Sequence, residues 1–350
     1  MQVTALLLSL VVFAQGSYRE ALPGYPYSFP RDHFEHPDFK TEWWYYTGNV
    51  WTADGHRFGF ELVFFRQGNR IGARDNPSAW RIDDLYFANA ALTDIGNKRF
   101  YPEERLNRAG PGIAGASFER SKIWNGNWSV FWDGERQTIA VFTDDFTLRL
   151  NLTPQKRLVI HGENGVSQKA AGPGHASYYV SFPRLSVAGT ISVQSRDYAV
   201  SGQAWMDHEW FTHQLDGGQL GWDWFSVQLD NHTELMLYQF RRRDGSRDPF
   251  SAGTFIDANG KTLHLRAIDF ALKPLETWTS EKTGAKYPVV WKISVASLGL
   301  ELECRSKLLN QELAVSHGAV YWEGAVDYGG ARKGVGYLEM TGYDKPVSLD

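Results

Sequence analysis

Two short stretches gather the side chains best suited to chemistry. Asp207-His208-Glu209-Trp210 places two carboxylates, an imidazole and an indole in four positions, and Trp222-Asp223-Trp224 sets a carboxylate between two indoles. A carboxylic acid whose pKa is raised by burial can protonate a substrate. An indole face stabilises a nearby cation by about 0.5–2 kcal/mol. Asp207 or Asp223 as proton donor, with Trp210, Trp222 and Trp224 as walls, is therefore a set able to carry a reaction through a cation. Side chains alternate along a strand, so in an extended segment His208 and Trp210 share one face while Asp207 and Glu209 share the other. Only one pair can look into a given cavity. His208 with Trp210 is the expected cavity pair, and Asp223 the expected acid. The plainer reading of the same residues is structural: alternating aromatics form cores, Asp207 and Glu209 pair with basic residues at a domain seam, and His208 is a satisfied core residue.

Several other strings resemble motifs without meeting their requirements. Gly110-Pro111-Gly112-Ile113-Ala114-Gly115 has dinucleotide-loop spacing but neither a strand before it nor a helical pattern after it. In His208-Glu209-Trp210-Phe211-Thr212-His213 the second histidine falls five residues after the first, off the face a zinc-binding helix would need. No Gly-x-Ser-x-Gly elbow occurs. The single cysteine, Cys304, excludes an internal disulfide and a cysteine-based metal site, and reads as a small apolar filler of a strand. No metal and no cofactor is expected.

The elements that must position these residues are strands. Period-two strings bounded by turn residues recur: Trp128 to Trp132, Asp133-Gly134, then Thr138 to Phe142; Phe146 to Leu152, Thr153-Pro154, then Arg157 to His161; Thr254 to Ile256, Asn259-Gly260, then Thr262 to Leu265. Each reads as a hairpin. No long amphipathic helix is apparent. Trp43 to Val50 with Phe58 to Arg66, and Trp222 to Leu229 with Glu234 to Arg241, echo one another as though each opened a barrel. The chain's 350 residues exceed what one core usually serves. Its 14 Trp, 16 Tyr and 21 Phe favour strands and suit pockets for apolar ligands. Closure of the sheets would remove their edges. The expectation is an all-β chain of two antiparallel barrels joined at the Gly-rich loop Leu215 to Gly221. A formal net charge of -4, with Arg241-Arg242-Arg243 the one dense basic run, argues against nucleic acid as a partner. Residues 1–16, with an apolar run from Ala5 to Phe13 and Ala14-Gln15-Gly16 after it, read as a signal peptide for periplasmic or secreted export. The n-region carries no Lys or Arg, which leaves an uncleaved anchor as the alternative.

Four strings then point to a family: Glu42-Trp43-Trp44-Tyr45-Tyr46-Thr47-Gly48; Ser177-Tyr178-Tyr179-Val180-Ser181; Trp205-Met206-Asp207-His208-Glu209-Trp210; and Tyr321-Trp322-Glu323-Gly324 with Gly336 to Tyr343. From about Phe29 to Tyr343 the chain resembles the family that joins AttH-like secreted proteins to carotenoid 1,2-hydratases. The resemblance implies two lipocalin-like domains, here 29–214 and 215–350. It also implies chemistry that varies between relatives, from hydration of an isoprenoid double bond to pericyclic cyclisation. The His-x-Trp pair of the hydratases is matched by His208 and Trp210, and their later acidic residue has Asp223 as its nearest counterpart. Trp44, Tyr46, Tyr179, Trp205, Trp222 and Trp224 are the expected ligand-lining residues. Glu42, Glu323 and Glu339 are expected to hold the barrels together. The leading expectation is an exported protein binding a lipid, isoprenoid or other apolar or amphipathic small molecule. The alternatives are an acid-catalysed hydratase or isomerase on such a ligand, and an envelope accessory of an ABC transporter. The oligomeric state is not legible in the sequence.

Overall fold

The computed structural model describes residues 18–69, 77–314 and 320–347; the expected signal peptide, residues 1–16, lies outside them. The alternating strings fold into an almost all-β structure with two barrel-like domains. Helical geometry among the described residues is confined to three one-turn 3-10 segments, Arg31–His33, Ala267–Asp269 and Ala296–Leu298.

A 13-stranded antiparallel sheet makes the first domain. At its centre Thr41–Trp51 pairs with Arg196–Phe211, from Thr41 opposite Phe211 to Trp51 opposite Ser201. Arg57–Gly68, Asp84–Asp94 and Arg99–Arg108 continue the sheet on one side; Ala176–Val193, Phe146–Pro154 and Arg136–Phe142 lead on to Ala114–Ser117 on the other. The sheet curls almost into a closed barrel. Its two ends meet through side chains, Asn107 Nδ2 donating to Asn125 Oδ1 at 2.6 Å. The second domain is a 10-stranded half-barrel in which Gln219–Leu229 pairs with Glu234–Arg242 and with Gly334–Thr341, itself paired with Tyr321–Gly330. The two echoing stretches thus hold equivalent places. Each begins its sheet, pairs with the next strand, and closes on the sheet's last strand.

Two of the three expected hairpins form: Trp128–Asp133 with Arg136–Phe142, and Ala252–Ile256 with Thr262–Arg266. The third does not. Phe146–Pro154 has both edges occupied, by Arg136–Phe142 and by Ala176–Val193, so Val159–Ile160 pairs with Ser181 and Val180 instead. A turn signal alone could not show that the neighbouring edge was already taken.

Alternation sends even-numbered residues of the central strands, such as Trp44, Tyr46, Met206 and His208, into the first barrel, and odd-numbered residues outward toward the second domain. The outward face forms a closely bonded seam. Asn49 Nδ2 donates to Gly336 O at 3.0 Å, Asn89 Nδ2 to Tyr321 Oη at 2.6 Å, and Gln228 Nε2 to both Pro183 O and Ala204 O at 2.8 Å. Arg57 Nη1 meets Asp327 Oδ1 at 2.5 Å, and Arg184 Nε meets Glu234 Oε1 at 2.6 Å. Gly59 makes the closest approach: a Cβ there would lie 2.7 Å from Ala325 Cβ across the seam. Gly59→Val should therefore destabilise the protein by about 1–3 kcal/mol through overpacking, although valine suits a strand. A urea midpoint equal to wild type would show that the two domains can separate without cost.

Candidate functional site

A cavity of about 370 Å³ lies in this seam, walled by both sheets. Trp43, Tyr45, Phe65 and Tyr179 come from the first domain; Trp222, Trp224, Tyr238 and Phe240 come from the second. Four carboxyl groups stand in its lining: Asp207, Glu209 and Glu323 are buried and Glu339 is half-buried. An aromatic box holding several acids, with little positive charge to match them, is an unusual environment for ionised groups.

Each acid has its own setting. Asp207 Oδ2 accepts from Tyr179 Oη at 2.5 Å, and its Oδ1 accepts from Trp205 Nε1 at 2.5 Å and from Ser181 Oγ. Burial nevertheless pushes Asp207 up to about 7, those three donors opposing the shift. Tyr179 Oη in turn accepts from Trp224 Nε1 at 2.9 Å, which ties the acid to the second domain. Glu339 accepts from Trp222 Nε1 at 2.9 Å. Burial, with added repulsion from Asp207 and Glu209, pushes it up to about 8. Glu323 sits opposite Glu339 in the paired strands and accepts from Tyr45 Oη. Burial and the charges of Glu61 and Glu339 hold it well above the carboxylate range. Glu209 differs: Lys169 Nζ stands 3.0 Å away, and Gln214 and Ser177 donate to it. Burial alone would lower Lys169, but Glu209 and Tyr238 outweigh it and hold the ammonium above its ordinary value.

The sequence-derived candidates divide between three places. Asp207, Tyr179, Trp222 and Trp224 line the cavity, and Trp205 lies behind Asp207. His208, Trp210, Trp44 and Tyr46 face the interior of the first barrel, so alternation holds but the pair that reaches the cavity is Asp207 with Glu209. Asp223 also points away from it, bonded to Arg241, to Gln239 at 2.8 Å and to Tyr343 at 2.9 Å. Strand alternation forces this, because Trp222 and Trp224 take the cavity face. The acids Glu323 and Glu339 were visible only as carboxylates inside aromatic strings. Glu61, between Phe60 and Leu62, gave the same weak signal and was not singled out.

Inside the first barrel His36, Glu42 and His208 converge, with donor atoms within 4.8 Å of one another. The residue types would suit a metal, but both Glu42 oxygens are already engaged, while His208 Nδ1 has no hydrogen-bond partner among the described residues. Glu42 accepts from His36 Nδ1 at 2.6 Å, His208 Nε2 at 2.8 Å and Arg66 Nε at 3.1 Å. The ring of His36 stacks on Trp210 at 4.0 Å, and that of His208 on Trp44 at 4.9 Å. Burial would raise Glu42, yet His36, His208 and Arg66 together hold it well below its ordinary value. Burial keeps His208 below its own, Glu42 opposing. With the Arg66 guanidinium already beside the carboxylate, this is an ion-pair lock that needs no metal cation.

With the geometry in place, comparison with known proteins is direct. A family profile described as AttH-like matches residues 20–343. The chain belongs to the AttH-like family. An AttH protein of Nitrosomonas europaea is similar in structure, with 36% sequence identity, a TM-score of 0.85, and coverage of 93% of this chain and 100% of that one. Kievitone hydratase from Nectria haematococca has the same fold at 17% identity and a TM-score of 0.67, covering 88% of this chain and 90% of its own. CghA, solved with Sch210972, shares it at 13% identity and 0.53, covering 87% and 89%. No curated protein matches the sequence.

Glu61 provides a test of the electrostatics. Its two oxygens are fully buried with no hydrogen-bond partner among the described residues, and burial with repulsion from Glu339 raises it well above the carboxylate range. A carboxyl raised on folding binds its proton more tightly in the folded state. Its contribution to stability is therefore full below the unfolded pKa and is lost as pH rises toward the folded one, by about 1.4 kcal/mol per unit. Glu61→Gln should raise the urea midpoint relative to wild type at pH 8 and lose that advantage near pH 4.5. Parallel stability curves for the two proteins from pH 5 to 8 would refute the shift.

Proposed function

We propose that the AttH-like chain binds an apolar or amphipathic, isoprenoid-like molecule in the interdomain cavity and acts on its C=C bond by acid-catalysed hydration or isomerisation. The observation that carries this is the pair of raised acids in the cavity wall, Asp207 near 7 and Glu339 near 8, set among indole and phenol rings. Protonating carbon requires an acid that holds its proton at working pH and surroundings that tolerate the cation it creates. Glu339 meets the first requirement, and Trp222 and Trp224 meet the second.

The steps balance with these groups alone. Glu339 gives its proton to one alkene carbon, forming a C–H bond and leaving a cation on the other carbon. Water adds to that cation and passes a proton to the Asp207 carboxylate, so H and OH have added across the double bond. Proton return from Asp207 to Glu339 resets the site. If Asp207 instead removes a proton from the carbon beside the cation, the double bond moves and the reaction is an isomerisation. Tyr179, bonded to both Asp207 and Trp224, fixes the base against the far wall. Support at the level of fold comes from kievitone hydratase, whose name records a hydratase on the same scaffold. The N-terminal apolar run makes export part of the same proposal.

The assay is turnover of a short prenylated phenol in deuterated water, followed by mass spectrometry for deuterium at carbon. Glu339→Gln should lower kcat by about 10²–10⁴-fold. The rate needs Glu339 protonated, hence pH below about 8, and Asp207 ionised, hence pH above about 7. The kcat/KM profile should therefore peak between those values. Wild-type rates in Glu339→Gln would sink the assignment.

A further inference from the structure

Two carboxyls of the cavity wall, Glu323 and Glu339, have a third, Glu61, which is not itself part of the lining, within electrostatic reach. Glu323 and Glu339 stand directly across from each other on paired strands, and Glu61 approaches from the Arg57–Gly68 strand of the first domain, raising the pKa of Glu323 and itself raised by Glu339. Like charges opposite one another on a sheet destabilise it, and a buried polar atom without a partner carries its full desolvation cost. Both Glu61 oxygens and Glu323 Oε2 are such atoms among the described residues. The nearby guanidinium of Arg57 is already engaged by Asn49 and Asp327. The other end of the same cavity shows what answers such a demand. There the Lys169 ammonium lies 4.0 Å from the ring centre of Tyr238, 4.9 Å from that of Tyr179 and 3.0 Å from Glu209. Ring faces and a carboxylate thus already hold one organic ammonium, while the second set of carboxyls, bonded to Trp222 and Tyr45, makes no salt bridge to a Lys, Arg or His among the described residues.

We propose that this carboxyl-lined end of the cavity is a receptor for positive charge, and that the cavity prefers an amphipathic organic cation, its ammonium among Glu323, Glu339 and Trp222 and its apolar body along Trp43 and Trp224. The inference rests on reading the cavity as the ligand site and extends that reading. An ammonium there is the stable counterpart of the carbocation that acid catalysis would create and draws the raised carboxyls into ionising, whereas an anionic amphiphile such as a fatty acid finds no counter-charge beside them to offset the burial of its own. The ligand class is therefore cationic, or neutral and able to become cationic, and not anionic.

Geranylamine, geraniol and geranic acid share one carbon skeleton and differ in the charge of the head, so they serve as probes. At pH 7.5, with binding read from quenching of tryptophan emission, geranylamine should bind at least about tenfold more tightly than geraniol, and geranic acid more weakly than either. Glu323→Gln and Glu339→Gln should each bring the amine-to-alcohol ratio close to one, with far-UV circular dichroism confirming the fold. If one variant fails to fold, the other carries the comparison. Equal affinities for amine and alcohol, a preference for the acid, or an amine preference that survives both substitutions would overturn the proposal. An amine preference that persists in a protein giving no turnover would overturn the catalytic reading alone.

Discussion

Glu42 accepts four hydrogen bonds inside the first barrel, from the backbone and ring of His36, from His208 and from Arg66. Arg66 also donates to the carbonyls of His36 and Phe39 at 2.8 and 2.6 Å, so one guanidinium ties the segment before the first strand to the second strand. A buried ion pair contributes less to stability than its geometry suggests, because both charges have left water. Its larger effect is on register. A slip of one residue would turn Glu42 toward the seam and Trp43 into the barrel, leaving Arg66 buried without its carboxylate. The lock therefore selects the one pairing in which odd-numbered residues of Thr41–Trp51 and Arg196–Phe211 face the second domain.

That choice places the cavity. Trp43 and Tyr45 reach it because Glu42 and Trp44 do not, and Asp207 and Glu209 reach it because His208 and Trp210 do not. Two adjacent strands thus serve two purposes on opposite faces: an ion-paired Glu42 inside the barrel and, outside it, the raised Asp207 beside Glu209. The difference follows from the neighbours. Glu42 has Arg66 and two imidazoles, whereas Glu323 and Glu339 have each other. The same residue type is held charged inside the barrel and neutral across the seam.

Much of the architecture was legible in the sequence because strands advertise themselves by period two. The Asp133-Gly134 and Asn259-Gly260 turns, and the echo between Trp43 to Val50 and Trp222 to Leu229, all correspond to observed pairings. The four motif strings carried the family. Which face of Arg196–Phe211 meets the cavity was not legible, since both faces are buried along its second half and period two marks a face only when the other is wet. Asp223 shows the same limit: the indoles beside it line the cavity, and that very fact turns its carboxylate to Arg241. The Glu61, Glu323 and Glu339 group was beyond reach for another reason. Glu61 lies far along the chain from the strand pair that carries Glu323 and Glu339, and nothing local in Phe60-Glu61-Leu62 says that its electrostatic neighbours are other acids.

The cavity has no wall that belongs to one domain alone. Tyr179 of the first domain holds Trp224 of the second, and Tyr45 holds Glu323 across the same gap. A molecule enclosed there is in contact with both sheets, so it acts as mortar between them and leaves when the joint loosens. Residence time is then governed by how often the Asn49–Gly336, Arg57–Asp327 and Gln228 contacts give way together, and less by the fit of the molecule itself. Side chains with no place in the proposed chemistry would thereby set how long an enclosed molecule stays, independently of its fit to the cavity wall.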